Sequence, residues 1–205
     1  RQGTLGNDST KWENTVSKNI GFDLTLFRGK WVFDFNLFQN DTKDLLIPRN
    51  RLNTEPFVVR PNGASGQPNE NIGTMRNKGV EFSVANKGKI SGDLNYDVQV
   101  NFSHYKNEVI KLNAAGNPFF FGLDRFSNAF KIDKGLPLST YWGYQIVGFY
   151  NTAADVTAGP KLAGSNAKIG TWKYLDRNGD GNINSADAGV IGNPHPKFTI
   201  GFNIN

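Results

Sequence analysis

Several stretches of the chain alternate apolar and polar residues almost without a break. In "NIGFDLTLF", Ile20, Phe22, Leu24 and Leu26 share one face, and Asn19, Gly21, Asp23 and Thr25 share the other. After a short "RGK", the stretch "WVFDFNLFQN" sets Trp31, Phe33, Phe35 and Leu37 against Asp34, Asn36 and Asn40. Successive side chains of a strand point to opposite faces, so this period marks strands between two unlike environments. Two such runs joined by three residues predict an antiparallel hairpin. The pattern returns in "GVEFSVANK", with Val80, Phe82 and Val84 on one face. It continues past "GKISGD" into "LNYDVQVNFSHY", where Leu94, Tyr96, Val98, Val100 and Phe102 alternate with polar residues. It closes in "FTIGFNIN", with Phe198, Ile200, Phe202 and Ile204. Strands are therefore expected near 18–27, 31–40, 79–87, 94–105 and 197–205.

The connections alternate too: short, long, short, very long. Residues 48–73 are polar and proline-rich, and residues 113–196 are irregular apart from "STYWGYQIVGFY", which reads as a strand or hairpin of its own. Outer-membrane barrels segregate loop length in this way, with short periplasmic turns, long extracellular loops and strands apolar towards lipid but polar towards a wet lumen. Phe27 and Trp31 flank "RGK" where an interfacial aromatic girdle belongs. The fold class expected is all-β: an antiparallel transmembrane β-barrel sector of about five long strands with long extracellular loops. Five strands close no wide barrel, so a longer protein is implied. The alternative is a soluble antiparallel sheet packed on one face, as in a β-sandwich.

Composition narrows the function classes. Sixteen phenylalanines argue against disorder, although hydrophobic residues make up only 38%. Without cysteine, disulfides and thiol chemistry are excluded. The net charge of +5 is spread along the chain without a basic run, so no nucleic-acid partner is expected. No stretch approaches the ~18 apolar residues of a membrane helix. The histidines are His104, on an apolar strand face, and His195, between two prolines, and no acid/base pair is recognisable, so no enzyme is expected. Phe119, Phe120, Phe121, Tyr141, Trp142, Tyr144 and Tyr150 either stack on sugar rings or pack the long connection together.

The densest chemistry is "DRNGDGNINSAD", residues 176–187. Its spacing fits the calcium-loop pattern, with Asp187 where glutamate is usual. Ca²⁺ takes six to eight hard oxygens, and alternate side chains of a tightly wound loop converge on one ion. Asp176, Asn178 and Asp180 would supply side-chain oxygens, Asn182 its carbonyl, Asn184 a water-mediated contact, and Asp187 would close the far side. Gly181 stands where the loop must turn sharply, and Ile183 would anchor it. Two glycines and two prolines follow in "AGVIGNPHP", so no second helix of an EF-hand is expected. The expected role of Ca²⁺ is structural. An Asn/Asp/Gly-rich surface turn is the plainer alternative.

Further segments carry a family resemblance: "KWENTVSKNIGFDLTLFRGK", "TKDLLIP", "NIGTMRNKGVEFSV", "VNFSHYKNEVIKL", "GLPLSTYWGYQIVGFY" and "YLDRNGDGNINSADAGVIGNPHPKFTIGFN". In this order they resemble the C-terminal part of the barrel of SusC-like TonB-dependent transporters of Bacteroidetes outer membranes. The resemblance implies a cell outer membrane location and a barrel of roughly 22 strands. It further implies a plug and TonB box outside these residues, energy from TonB, and a SusD-like surface lipoprotein as partner. The implied cargo is glycan fragments or peptides. The alternative function is that of a soluble calcium-stabilised carbohydrate-binding β-sandwich.

Overall fold

The computed structural model describes residues 10–48, 69–112, 116–123, 126–162 and 164–205. Its strands are β1 (Asn14–Leu26), β2 (Trp31–Pro48), β3 (Asn69–Ser91), β4 (Leu94–Leu112), β5 (Phe119–Leu123), β6 (Phe126–Ile132), β7 (Thr140–Gly143) and β8 (Ile146–Phe149). A short helix α1 (Ala153–Ala158) precedes β9 (Lys161–Leu162), β10 (Trp172–Tyr174), β11 (Asn182–Ile183), β12 (Gly189–Gly192) and β13 (Thr199–Ile204). Two compact units result. The first holds residues 1–119, 132–138 and 195–205; the second holds 120–131 and 139–194.

The first unit is built on a five-stranded antiparallel sheet in the order β1-β2-β3-β4-β13. Its register aligns the alternating faces into rows. Phe22 opposes Phe35, Phe35 opposes Phe82, Phe82 opposes Phe102, and Phe102 opposes Ile200. The rows on either side of this rung run Leu24–Phe33–Val84–Val100–Phe202 and Ile20–Leu37–Val80–His104. Phe22 stacks on Phe35 at 5.4 Å between ring centroids. A one-residue slip on any strand would send its apolar set to the polar face, so patterning and register enforce each other. The apolar face stays uncovered among the described residues: Ile20 is 73% exposed and Phe202 72%. A sandwich would have buried such a face. No helix among the described residues is long and apolar enough to cross a membrane, which has no bearing on crossing by strands.

At one end the turns are tight. Phe27, Arg28 and Gly29 all take positive φ between Leu26 and its partner Trp31. Gly92, at φ +46, and Asp93 join Ser91 to its partner Leu94. At the other end β2, β3 and β4 run well past the expected boundaries, and two bulges converge on Gly73. A Cβ at Gly73 would lie 1.9 Å from the Lys111 carbonyl oxygen, so only glycine fits. The buried apolar residues of this unit, Ile72, Val109, Leu112, Phe119 and Ile132, belong to the far ends of these strands and to the segment after them. The apolar band of the sheet contributes none. Here the apolar residues of the strands serve an outside phase, and the protein core begins where the band stops.

Residues 113–196 are less irregular than the sequence suggests. The second unit carries most of a four-stranded sheet ordered β12-β7-β6-β5, with two-stranded pairs β8/β10 and β9/β11. "STYWGYQIVGFY" is not a hairpin: β7 pairs with β6 and β12, and β8 pairs with β10. Of the connection expected over 48–73, residues 49–68 lie outside the described residues, while its ends belong to β2, which runs to Pro48, and to β3, which starts at Asn69.

Phe35, in the middle of the apolar band, and Asn36, on the opposite face, give a paired test in the full-length protein. Phe35→Arg should destabilise the membrane-inserted barrel by ~2–4 kcal/mol, the cost of arginine near the bilayer midplane. Asn36→Arg, aimed at the lumen, should cost far less. Equilibrium unfolding in lipid vesicles reads both, and equal effects would contradict the facing assigned to the sheet.

Candidate functional site

The acidic loop begins one residue after β10 and passes through β11. The side chains of Asp176, Asn178, Asp180 and Asn184 each accept from a backbone amide two to five residues ahead, which winds the chain tightly. Asp176 accepts from the amides of Gly179 and Gly181, both at 2.7 Å. Asn178 Oδ1 accepts from the Asp180 amide at 3.1 Å, and its Nδ2 donates to Asp180 Oδ2 at 2.8 Å. Asp180 Oδ1 accepts from the Asn182 amide at 2.7 Å. Gly179 and Gly181 take φ of +74 and +80, which permits the winding. Ile183 is fully buried and pairs in parallel with Leu162 of β9, so it anchors the loop as expected.

Asp187 is also fully buried, and it closes the loop from inside. Oδ1 accepts from the Arg177 amide at 2.8 Å and Oδ2 from the Asn184 amide at 2.9 Å. Arg177 returns along the loop, its Nε donating to the Asp187 carbonyl at 3.0 Å. Its guanidinium lies against Gly189, where a Cβ would stand 2.6 Å from the Arg177 Cζ. The Asn184 side chain caps the 3₁₀ turn Ser185–Asp187 by accepting from the Ala186 amide at 2.9 Å. The Asn184 amide foremost, and the Arg177 amide with it, hold the Asp187 carboxyl below the usual carboxylate range, while burial pushes the other way.

The donors are hard oxygens suited to Ca²⁺ rather than to a softer metal. Among the described residues, however, no three His, Cys, Asp or Glu side chains converge on one point. Both oxygens of Asp187 serve backbone amides, an arrangement that spacing alone did not reveal.

The second candidate surface is the polar face of the large sheet. Asp34, Glu81, Ser83, Asn101, Ser103 and Thr199 line a shallow groove on it. Nearer the long connections the wall becomes aromatic around Gly79, where a Cβ would lie 2.7 Å from Tyr105 Cβ and 2.9 Å from Phe38 Cζ. The segment 132–138 is tied to this wall by a buried amide. Asn107 donates to Asn77 Oδ1 at 2.6 Å and accepts from the Leu138 amide at 2.6 Å. Tyr105 Oη and His195 Nδ1 lie 3.2 Å apart, and His195 Nε2 lies 3.2 Å from the Leu138 carbonyl oxygen. Both histidines therefore fasten segments to the sheet, since His104 Nδ1 meets the Lys197 carbonyl oxygen. Nothing in the sequence marked Asn107. The aromatics of the second unit largely pack on one another: Phe120 against Trp142, Phe121 against Phe130, and Tyr144 against Tyr174.

A sequence-ordered antiparallel meander with one outward apolar face, one polar face and tight turns at one end is the wall of a transmembrane β-barrel. The family described as "TonB dependent receptor-like, beta-barrel" matches residues 1–205, and the chain belongs to it. It is part of an outer-membrane protein. TonB-dependent receptor P3 of Formosa agariphila is 30% identical over 204 residues, covering 97% of this chain and 19% of that protein. TonB-dependent receptor SusC of Bacteroides thetaiotaomicron is 26% identical over 204 residues, covering 95% of this chain and 18% of its own length. The chain thus spans about a fifth of these relatives. Among solved structures, one titled "Structure of the RagAB peptide transporter" shares the fold at a TM-score of 0.66 and 20% identity, over 98% of this chain and 20% of that one.

The lowered Asp187 carboxyl fixes a pH dependence. Its contribution to loop stability is complete above the ordinary carboxylate value of ~3.9 and is lost as pH falls through the lower folded value. Hydrogen exchange of residues 176–187 in the full-length receptor should show steady protection from neutral pH down to about 5, then a loss below about 4. Asp187→Asn should weaken protection at neutral pH and flatten the acid limb. An unchanged acid limb in that variant would remove Asp187 as its source.

Proposed function

We propose that this chain is a sector of the barrel of an outer-membrane importer of SusC type. Full-length, it takes up glycan fragments or peptides using energy delivered through TonB. The observation that carries the reading is the register of the five-stranded sheet, which separates a lipid-facing apolar set from a polar set able to line a passage. The peptide transporter among the solved structures supports the peptide class; the glycan class rests on the family resemblance. In this reading residues 113–196 lie outside the cell and meet a SusD-like lipoprotein. The exposed apolar residues of β8 and β10, Val147, Phe149 and Trp172 among them, suit a partner surface. Photo-crosslinkers placed at Val147 and Trp172 of the full-length receptor in intact cells should capture a surface lipoprotein. Products confined to periplasmic proteins would reverse the orientation.

The same reading includes one structural Ca²⁺ in the loop 176–187. Asp176, Asn178 and Asp180 would hold it with the Asn182 carbonyl, and Asp187 would join by releasing its backbone amides. The ion would supply charge neutralisation to a loop that carries Asp176, Asp180 and Asp187 within twelve residues. Mg²⁺ demands tighter octahedral geometry and keeps its waters, so it is the poorer ligand. At millimolar external calcium, Asp176→Ala together with Asp180→Ala should make limited proteolysis of the loop faster and insensitive to added calcium. Equal resistance in parent and variant, with no calcium effect in either, would reduce the stretch to a turn.

A further inference from the structure

Directly beyond the apolar band, the outward face of the sheet carries a row of lysines. Lys18 opposes Gln39, Gln39 opposes Lys78, and Lys78 opposes Lys106, so three of four adjacent strands present an ammonium group at one level. The row lies two residues along each strand from Ile20, Leu37, Val80 and His104, hence on the same face. All three lysines are exposed.

Two observations point to an anion. Like charges directly opposite one another destabilise a strand pair, and Lys78 faces Lys106 across the ladder. The carboxylates on this face stand one row further out and are already engaged. Asp41 receives Arg76 through two bonds of 2.6 and 3.0 Å, and Glu108 receives Lys106 at 2.7 Å. Four cations thus face two carboxylates. The level of the row supplies the second observation. Counted from the girdle level of Trp31, which pairs through Asn86 with Val98, Lys106 stands eight residues or ~27 Å further along β4. At a tilt of about 40° this spans roughly 21 Å of membrane normal, close to the outer edge of an apolar band of about 25 Å. The ammonium groups therefore reach the headgroup level while their aliphatic stems lie along the apolar residues below.

We propose that Lys18, Lys78 and Lys106 form a binding site for the phosphate of a net-anionic headgroup of an outer-leaflet lipid. The inference rests on the reading of this sheet as lipid-facing with its long connections outside. A headgroup phosphate relieves the Lys78–Lys106 repulsion, and the acyl chains of the same molecule lie against the Ile20–Leu37–Val80 row. A basic side chain near an anionic membrane surface contributes ~1 kcal/mol, about a fivefold change in affinity per lysine.

The test uses the full-length receptor in detergent, titrated with dioleoyl phosphatidic acid or dioleoyl phosphatidylcholine and read by native mass spectrometry. Lys18→Gln, Lys78→Gln and Lys106→Gln together should weaken phosphatidic acid binding on the order of a hundredfold and leave phosphatidylcholine unchanged. The triple arginine variant should retain binding, and Lys87→Gln with Lys89→Gln, near the short turns, should behave as the parent. Parent-like binding by the triple glutamine variant overturns the proposal. Displacement of the lipid by inorganic phosphate at equal concentration overturns the lipid as the source of the anion. Protease protection in vesicles separates this from the underlying reading: a parent receptor that fails to insert overturns the lipid-facing assignment itself.

Discussion

Inside hydrocarbon a backbone amide has no water to bond, and leaving it unpaired costs several kcal/mol. Every residue that crosses must find its partner on a neighbouring strand. In this chain the ladder also sets the chemistry of both faces, because one register serves five strands at once. The phenylalanine rung from Phe22 to Phe102 exists only in that register, and so do the row of Asp23, Asp34, Ser83 and Asn101 and the lysine row beyond the band. Buried side chains do not hold this part of the protein together. They begin at Ile72, Val109 and Leu112, where the apolar rows have ended.

This division explains what could be read in advance. Within the band the two faces meet lipid and lumen, so alternation is strict and β1, β13 and the band portions of β2, β3 and β4 are legible. Past Asn40 in β2 and before Lys78 in β3, the band has ended and the core around Ile72 begins, and the residues lose their alternation while the ladder continues. Ladder pairing extends those strands together with contacts such as Arg76 to Asp41, and no period-2 pattern announces them. In the second unit β7, β8, β9, β10, β11 and β12 are two to four residues long, too short for a period to register. Their positions follow from cross-strand partners such as Tyr141 with Phe130.

The acidic loop divides the same way. Its winding was legible because Asp, Asn and Gly at these intervals have local backbone partners, and Gly181 and Ile183 fill the roles their chemistry suggested. Asp187 was legible only as an oxygen donor. Its two amide partners, Arg177 and Asn184, lie ten and three residues back, and the choice between binding amides and binding an ion belongs to the folded loop. Asn107 left no trace in the pattern because it depends on Leu138, a residue brought to it by the fold.

The sheet order also constrains the sequence of assembly. β1 with β2, and β3 with β4, are joined by turns so tight that each pair can zip as soon as it is synthesised and delivered. β13 must instead find β4 across residues 113–198. That connection is roughly twentyfold longer than the turn at 27–30, and its closure costs ~3 kcal/mol more in chain entropy. The β4–β13 ladder, Ile200 against Phe102 within it, is therefore the costliest of this sheet to close in chain entropy, although its contacts are of the same kind as those of the hairpins.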